Sequence, residues 1–165
     1  MFLEMKVFGL TIDPFTNVPI VILKDSDEKN ALPVWIGVLE ASAIASELEK
    51  IHFSRPMTHD LLKEVLKNLE VTVKKIEVHD LKDNVYYAAI HMAGKSGSFI
   101  LDARPSDAIA LALRMGAPIF VDIDVLEKSK NMDMSKGQGK RNKGAGGLAE
   151  TLEDLPPENF GKYKM

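Results

Sequence analysis

The six residues Ala108-Ile109-Ala110-Leu111-Ala112-Leu113 are apolar on every side of a helical projection. A helix of that kind has no face for water, so the rest of the chain must wrap around it. Pro105 suits its first turn and Gly116 its C-terminal stop, which sets a core helix over about Pro105 to Met115. The chain has 165 residues, of which 45% are hydrophobic and 27% charged, enough for one domain with a sizeable core.

The segments around this helix read as strands. Residues 2–12 alternate, with Leu3, Met5 and Val7 on one face and Glu4 and Lys6 on the other. Two apolar runs follow, Pro19 to Leu23 and Leu32 to Ile36, separated by the charged turn Asp25 to Asn30. Val71 to Leu81 and Val85 to Met92 form a hairpin through Lys82-Asp83-Asn84. In its first arm the apolar parity shifts from Val71 and Val73 to Ile76 and Val78, which predicts a bulge near Lys74–Lys75. Ser98–Asp102 and Ile119–Asp122 complete the strands. A helix over about Leu39 to His52 has Ala41, Ile44, Ala45, Leu48 and Ile51 or His52 recurring at helical spacing. A second one, N-capped by Thr58, buries Leu61, Leu62, Val65, Leu66 and Leu69. Strands grouped with helices inserted predict an α+β fold: a mixed or mainly antiparallel sheet with three main helices, one of them the buried core helix.

Charge divides the chain. The formal net charge is −3, yet Lys128 to Gly147 carries six bases against Asp133, together with five glycines. The organisation read from this is a domain over residues 1–127, a flexible basic Gly/Lys-rich linker over 128–147 and a helical tail over 148–165, with a weak helix around Leu148 to Leu155. Met132 to Gly147 is expected to be disordered, whether as a solvated connector or as a basic arm that touches phosphates. Zero cysteines exclude disulfides, thiolate nucleophiles and cysteine-ligated metals, and fit a reducing compartment. No apolar run approaches a membrane span and the first ten residues are no secretory signal, so a soluble cytoplasmic protein without membrane association is expected.

Familiar catalytic signatures are absent: no Walker loop, no Rossmann glycines, no GxSxG elbow. Gly94-Lys95-Ser96-Gly97 is better read as a hairpin turn than as a phosphate loop. His52, His79 and His91 have no partner at ligand spacing, and Trp35, Tyr86, Tyr87 and Phe99 are more naturally core or sheet-face residues than stacking platforms. Two segments share a design: Arg55-Pro56-Met57-Thr58-His59-Asp60 and Arg104-Pro105-Ser106-Asp107 each put an arginine, a proline, a hydroxyl and an aspartate at a helix start. Capping alone explains such a pattern. Charge at the mouth of a buried helix must also be paired or functional, however, and His59 beside Asp60 is suited to proton transfer. Glu40 begins the preceding helix. Arginines, a histidine and three carboxylates near helix starts would suit a phosphodiester.

Leu32-Pro33-Val34-Trp35-Ile36-Gly37 leading to Glu40-Ala41, then Arg55-Pro56-Met57-Thr58-His59-Asp60-Leu61-Leu62, then Asp102-Ala103-Arg104-Pro105-Ser106-Asp107-Ala108-Ile109-Ala110-Leu111-Ala112 together resemble the bifunctional nuclease (BFN) domain family over about residues 1–130. The resemblance implies an α+β domain and a hydrolase acting on phosphodiester bonds in DNA and RNA. Chemistry applied to the motif positions gives the roles. Asp60, Asp107 and Glu40 would steer water or hold a divalent metal (Mg or Mn), with Asp60 and Asp107 the metal ligands. His59 would move a proton, and Arg55 and Arg104 would hold phosphate. No organic cofactor is expected. DNA or RNA and a second copy of the chain, as a homodimer, are the expected partners. The alternative is a noncatalytic oligomeric binding or regulatory module in which the same motifs are helix caps and salt bridges.

Overall fold

In the computed structural model of the protein, which describes residues 1–137, seven strands form one mixed, mostly antiparallel sheet accompanied by four helices. The order along the chain is β1 (Phe2–Ile12), β2 (Pro19–Asp25), β3 (Ala31–Trp35), α1 (Val38–Leu48), α2 (Thr58–Asn68), β4 (Thr72–Lys82), β5 (Val85–Gly94), β6 (Gly97–Ala103), α3 (Pro105–Met115), β7 (Ile119–Asp122) and α4 (Ile123–Gly137). Across the sheet the strands run β3-β2-β1-β7-β4-β5-β6. Two meanders, β1-β2-β3 and β4-β5-β6, are thus joined through β7, which pairs antiparallel with β1 and parallel with β4. The α+β expectation holds.

One face of the sheet lines the main core, and β2 is buried on both of its faces. Met5, Val21, Leu23, Ile76, Val78 and Ile90 point into the core, while Glu4, Lys6 and Lys74 stay exposed. Tight hairpin chemistry sets the β4–β5 register: Asp83 and Asn84 both adopt left-handed backbone (φ 50° and 64°), the conformation a primed two-residue turn requires. The bulge expected at Lys74–Lys75 is present as a register shift between Val73 and Lys75, and a second shift lies between Val78 and Asp80. On the core face α3 is the central helix, with Ala108 to Ala112 each at most 1% exposed, and α1 and α2 pack against it. Gly116, at φ 65°, ends it as expected.

Three expectations need correction. The first helix stops at Leu48 rather than His52, because Lys50 turns left-handed (φ 54°) and Ile51 N–H closes back on the Ser46 carbonyl. Helix α2 begins at Thr58 with Met57, not Thr58, as its N-cap, and only Leu66 of its expected apolar face is buried. Leu61, Leu62, Val65 and Leu69 are 41–64% exposed, since α2 lies on the flank of α3 with no further layer over it among the described residues. Third, the short helix near Val125 continues to Gly137, through the first ten residues of the expected linker. Those residues contain no glycine before Gly137. Ser129 is buried against the Tyr86 hydroxyl, and Lys128 and Lys130 reach Asp80 and Asn30. The rest of the linker and the expected helix at Leu148 to Leu155 lie outside the described residues. No helix among the described residues is long and apolar enough to cross a membrane.

Candidate active site at the entrance of the core helix

Helices α1, α2 and α3 each carry a carboxylate at the third helical position: Glu40, Asp60 and Asp107. That position favours an acid because of the helix dipole and the free N–H groups of the first turn. Their fates differ. Asp60 caps its own helix, accepting from the Met57 N–H at 3.0 Å, and its other oxygen accepts from Arg114 Nε at 2.7 Å. Glu40 and Asp107 instead turn to Arg104, which immediately precedes α3.

Arg104 binds Asp107 through two N–H groups, Nε to Oδ2 at 2.7 Å and Nη2 to Oδ1 at 3.2 Å, and donates from Nη1 to Glu40 Oε1 at 2.8 Å. His59 completes the cluster with Nε2 at 3.0 Å from Asp107 Oδ1. An ionised carboxylate only accepts, so Nε2 carries a proton, and in the neutral imidazole the lone pair then lies on Nδ1. Burial pushes the Asp107 carboxyl up, but hydrogen bonds and charge from Arg104 and His59 outweigh it and hold the group below its ordinary value. Arg104 is raised in turn by Asp107 and then Glu40. Gly37 makes room for Glu40: any Cβ there would collide with the carboxylate.

A cavity of about 470 Å³ opens beside this cluster, lined by His59, Asp107, Arg104 and Glu40 with Leu39, Phe53 and Met57 on its apolar wall. Arg104 is 65% exposed at the side chain and His59 only 13%. Among the described residues the guanidinium spends three of its five N–H groups on carboxylates, leaving two for an incoming anion.

Of the expected residues, the structure therefore brings together Glu40, His59, Arg104 and Asp107. Asp60 sits one residue from His59 but in a separate network. Its partner Arg114 has a side chain only 2% exposed, further held by the Ala110 carbonyl and by Ser46 Oγ of α1 at 3.4 Å. Arg55 is exposed, makes no ion pair among the described residues and lines neither cavity around Arg104. As arranged, Asp60 and Asp107 do not fit a metal site. Each is engaged by an arginine, and no three His, Asp or Glu side chains among the described residues are grouped to hold an ion.

Arg114 and Gly37 are the participants that sequence reading missed. The signal for Arg114 was present: it is the sole charge on the buried stretch of the core helix and lies seven residues from Asp107, on the same helical face. Gly37 stands in the motif Leu32 to Gly37, but its part beside Glu40 was not legible there, since a glycine after a strand reads simply as a turn.

The model of the bifunctional nuclease domain matches residues 21–133, which include every residue of the cluster. An uncharacterized protein of Mycobacterium tuberculosis is 31% identical over 162 residues, covering 95% of this chain and 97% of the relative. Bifunctional nuclease 1 of Oryza sativa subsp. japonica is 26% identical over 106 residues, covering 62% of this chain, and bifunctional nuclease 2 of Arabidopsis thaliana is 24% identical over 106 residues, again 62% of this chain. The match spans 32% of each plant protein, about a third of its length. The chain belongs to the bifunctional nuclease domain family.

Proposed function

We propose that the chain is a nuclease acting on DNA and RNA, with the cleft at Arg104, Asp107 and His59 as its phosphodiester site. One observation carries this reading: Glu40 and Asp107 stand where they would cap their helices, yet both are turned to an exposed arginine at a cavity, with a histidine on the second. Caps alone need neither the cavity nor the histidine. The two plant relatives, named as bifunctional nucleases, support the same class of substrate.

In this mechanism the two unspent Arg104 N–H groups bind the phosphoryl oxygens. Asp107 fixes the imidazole, and His59 Nδ1 takes a proton from the attacking water as its oxygen bonds to phosphorus. The bond to the departing oxygen then breaks, that oxygen takes up a proton from solvent water, and His59 returns its proton to solvent. Glu40 holds the far edge of Arg104, so the guanidinium keeps one orientation. Asp60 supports His59 by anchoring the start of α2 to Arg114. Arg55, exposed at the same loop, contacts flanking phosphate. Because the carboxylates are engaged by arginines, this reading has cleavage continue in the presence of a chelator. A strict need for Mg or Mn would point instead to the two aspartates as metal ligands.

The test is cleavage of single- and double-stranded DNA and RNA, with and without chelator, by the wild type, His59→Ala and Asp107→Asn. Loss of activity in both variants with the fold intact is expected. Full activity in both would remove the assignment.

A homodimer is also proposed. Helix α2 leaves Leu61, Leu62, Val65 and Leu69 exposed, and β6 is an edge strand with Phe99, Ile100 and Leu101 38–61% exposed. Both are surfaces that a second copy would cover. Light scattering at micromolar concentration should give twice the chain mass, and a monomeric mass would contradict it.

A further inference from the structure

The Arg104–Glu40 ion pair lines two cavities. Besides the His59 cleft there is a second cavity of about 250 Å³, lined by Trp35, Tyr86, Val85 and Asn84 and by the start of α3 at Pro105 and Ser106. Arg104 and Glu40 line both cavities. Resting on the nuclease reading above, we propose that this second cavity is a nucleobase subsite, taking the base of the nucleotide whose phosphate is bound at Arg104.

Three features argue for it. The aromatic side chains are fixed before any ligand arrives. Trp35 donates its indole N–H to Asp13 at 2.9 Å, and Tyr86 hydroxyl donates to the Pro33 carbonyl at 3.2 Å and contacts Ser129 Oγ at 3.0 Å. Rigid aromatic walls recognise bases without a cost in side-chain ordering, and tolerate base identity because every base has a π face. The polar groups also suit the ligand: Asn84, held left-handed in the β4–β5 turn, has an amide able both to donate and to accept at a base edge. Finally, the shared ion pair sets the spacing. Arg104 lines both cavities, so a nucleotide can keep its phosphate on the two unspent Arg104 N–H groups and its base against Trp35. An apolar cavity remote from the arginine would not couple base and phosphate in this way.

Trp35 is the single tryptophan of the chain, so its fluorescence reports directly on this cavity. The wild-type protein is titrated with adenosine 5′-monophosphate, ribose 5-phosphate and inorganic phosphate, and the same titrations are run on Asn84→Gly and Val85→Glu. Asn84→Gly keeps a residue that accepts the left-handed turn, and Val85 is 53% exposed, so neither change threatens the core. Saturable quenching by the nucleotide is expected, at least tenfold tighter than any response to ribose 5-phosphate. It should be weakened severalfold in Asn84→Gly and lost in Val85→Glu. Equal responses to the nucleotide and to ribose 5-phosphate, or a nucleotide response unchanged in Val85→Glu, would overturn the subsite. The nuclease reading fails separately: if the chain cleaves nothing yet Trp35 responds as expected, nucleotide binding stands and catalysis does not. If it cleaves with a silent Trp35, the subsite alone is lost.

Discussion

The segments Arg55 to Asp60 and Arg104 to Asp107 look alike in sequence and part company in the fold. In the second, arginine and aspartate clasp each other through two hydrogen bonds at the rim of a cavity. In the first they separate: Arg55 stays in solvent, and Asp60 reaches the buried Arg114. The cause lies in what each helix packs against. Helix α3 enters the core, so the charges at its mouth are crowded against α1 and α2 and must find one another. Helix α2 lies on the flank, and its aspartate is drawn to the one cation that the core helix cannot leave unpaired. Adjacent residues His59 and Asp60 thereby grip α3 at Asp107 and Arg114, two turns or about 10 Å apart along its axis. On the proposed reading Arg104 and Asp107 serve the chemistry together with His59, while Asp60 serves position.

The comparison breaks most visibly in activity. Asp107→Asn should lower cleavage by at least about 100-fold, the usual scale for losing an oriented base, while the melting temperature shifts by only a few degrees. Asp60→Asn should do the reverse, keeping most of the activity at moderate temperature while losing stability. Equal activity losses in the two variants would erase the distinction drawn between the motifs.

Stability gives the next largest effect. Asp60→Ala leaves Arg114 buried with only neutral acceptors and should cost about 2–4 kcal/mol, somewhat below a fully buried pair because Asp60 is 35% exposed. Denaturant unfolding measures this, and Arg114→Met together with Asp60→Ala should recover part of the loss. A cost under about 0.5 kcal/mol would show that the strut is a surface pair.

Acid should loosen both motifs together. Asp60 and Asp107 titrate below their ordinary values in the fold, so each favours the folded state above the unfolded pKa of about 3.9. That contribution is lost as pH falls through the lowered folded value. Stability should therefore decline below about pH 4, with a shallower decline in Asp60→Asn. An unchanged slope between pH 5 and pH 2 would contradict it.

The smallest effect is expected at Arg55. Arg55→Ala should leave the melting temperature unchanged and reduce the salt dependence of nucleic-acid binding by about one unit of slope. A loss as large as that of Asp107→Asn would put Arg55 in the cluster.

Local patterns were legible in the sequence to the extent that one element decides them. The core helix, its Gly116 stop, the β4–β5 turn and the bulge after Val73 follow from residues a few positions apart. Pairings across elements were legible only as a set of charges in need of partners. That Asp107 takes Arg104 and His59 while Asp60 takes Arg114 depends on how α1, α2 and α3 converge, which no local spacing encodes. The exposed face of α2 was misread for the same reason, since amphipathicity says that a face wants cover without saying whether this chain supplies it.

The central claim is that His59 and Asp107 act as one unit on a phosphodiester held at Arg104. A double-mutant cycle in cleavage rate tests it most directly, using His59→Ala, Asp107→Asn and the double variant on one oligonucleotide. If aspartate works through histidine, the double variant should be no slower than the slower single variant, a coupling that nearly cancels the second loss. Losses that multiply, so that two 100-fold defects become about 10,000-fold, would mean the two residues act independently and would contradict the account.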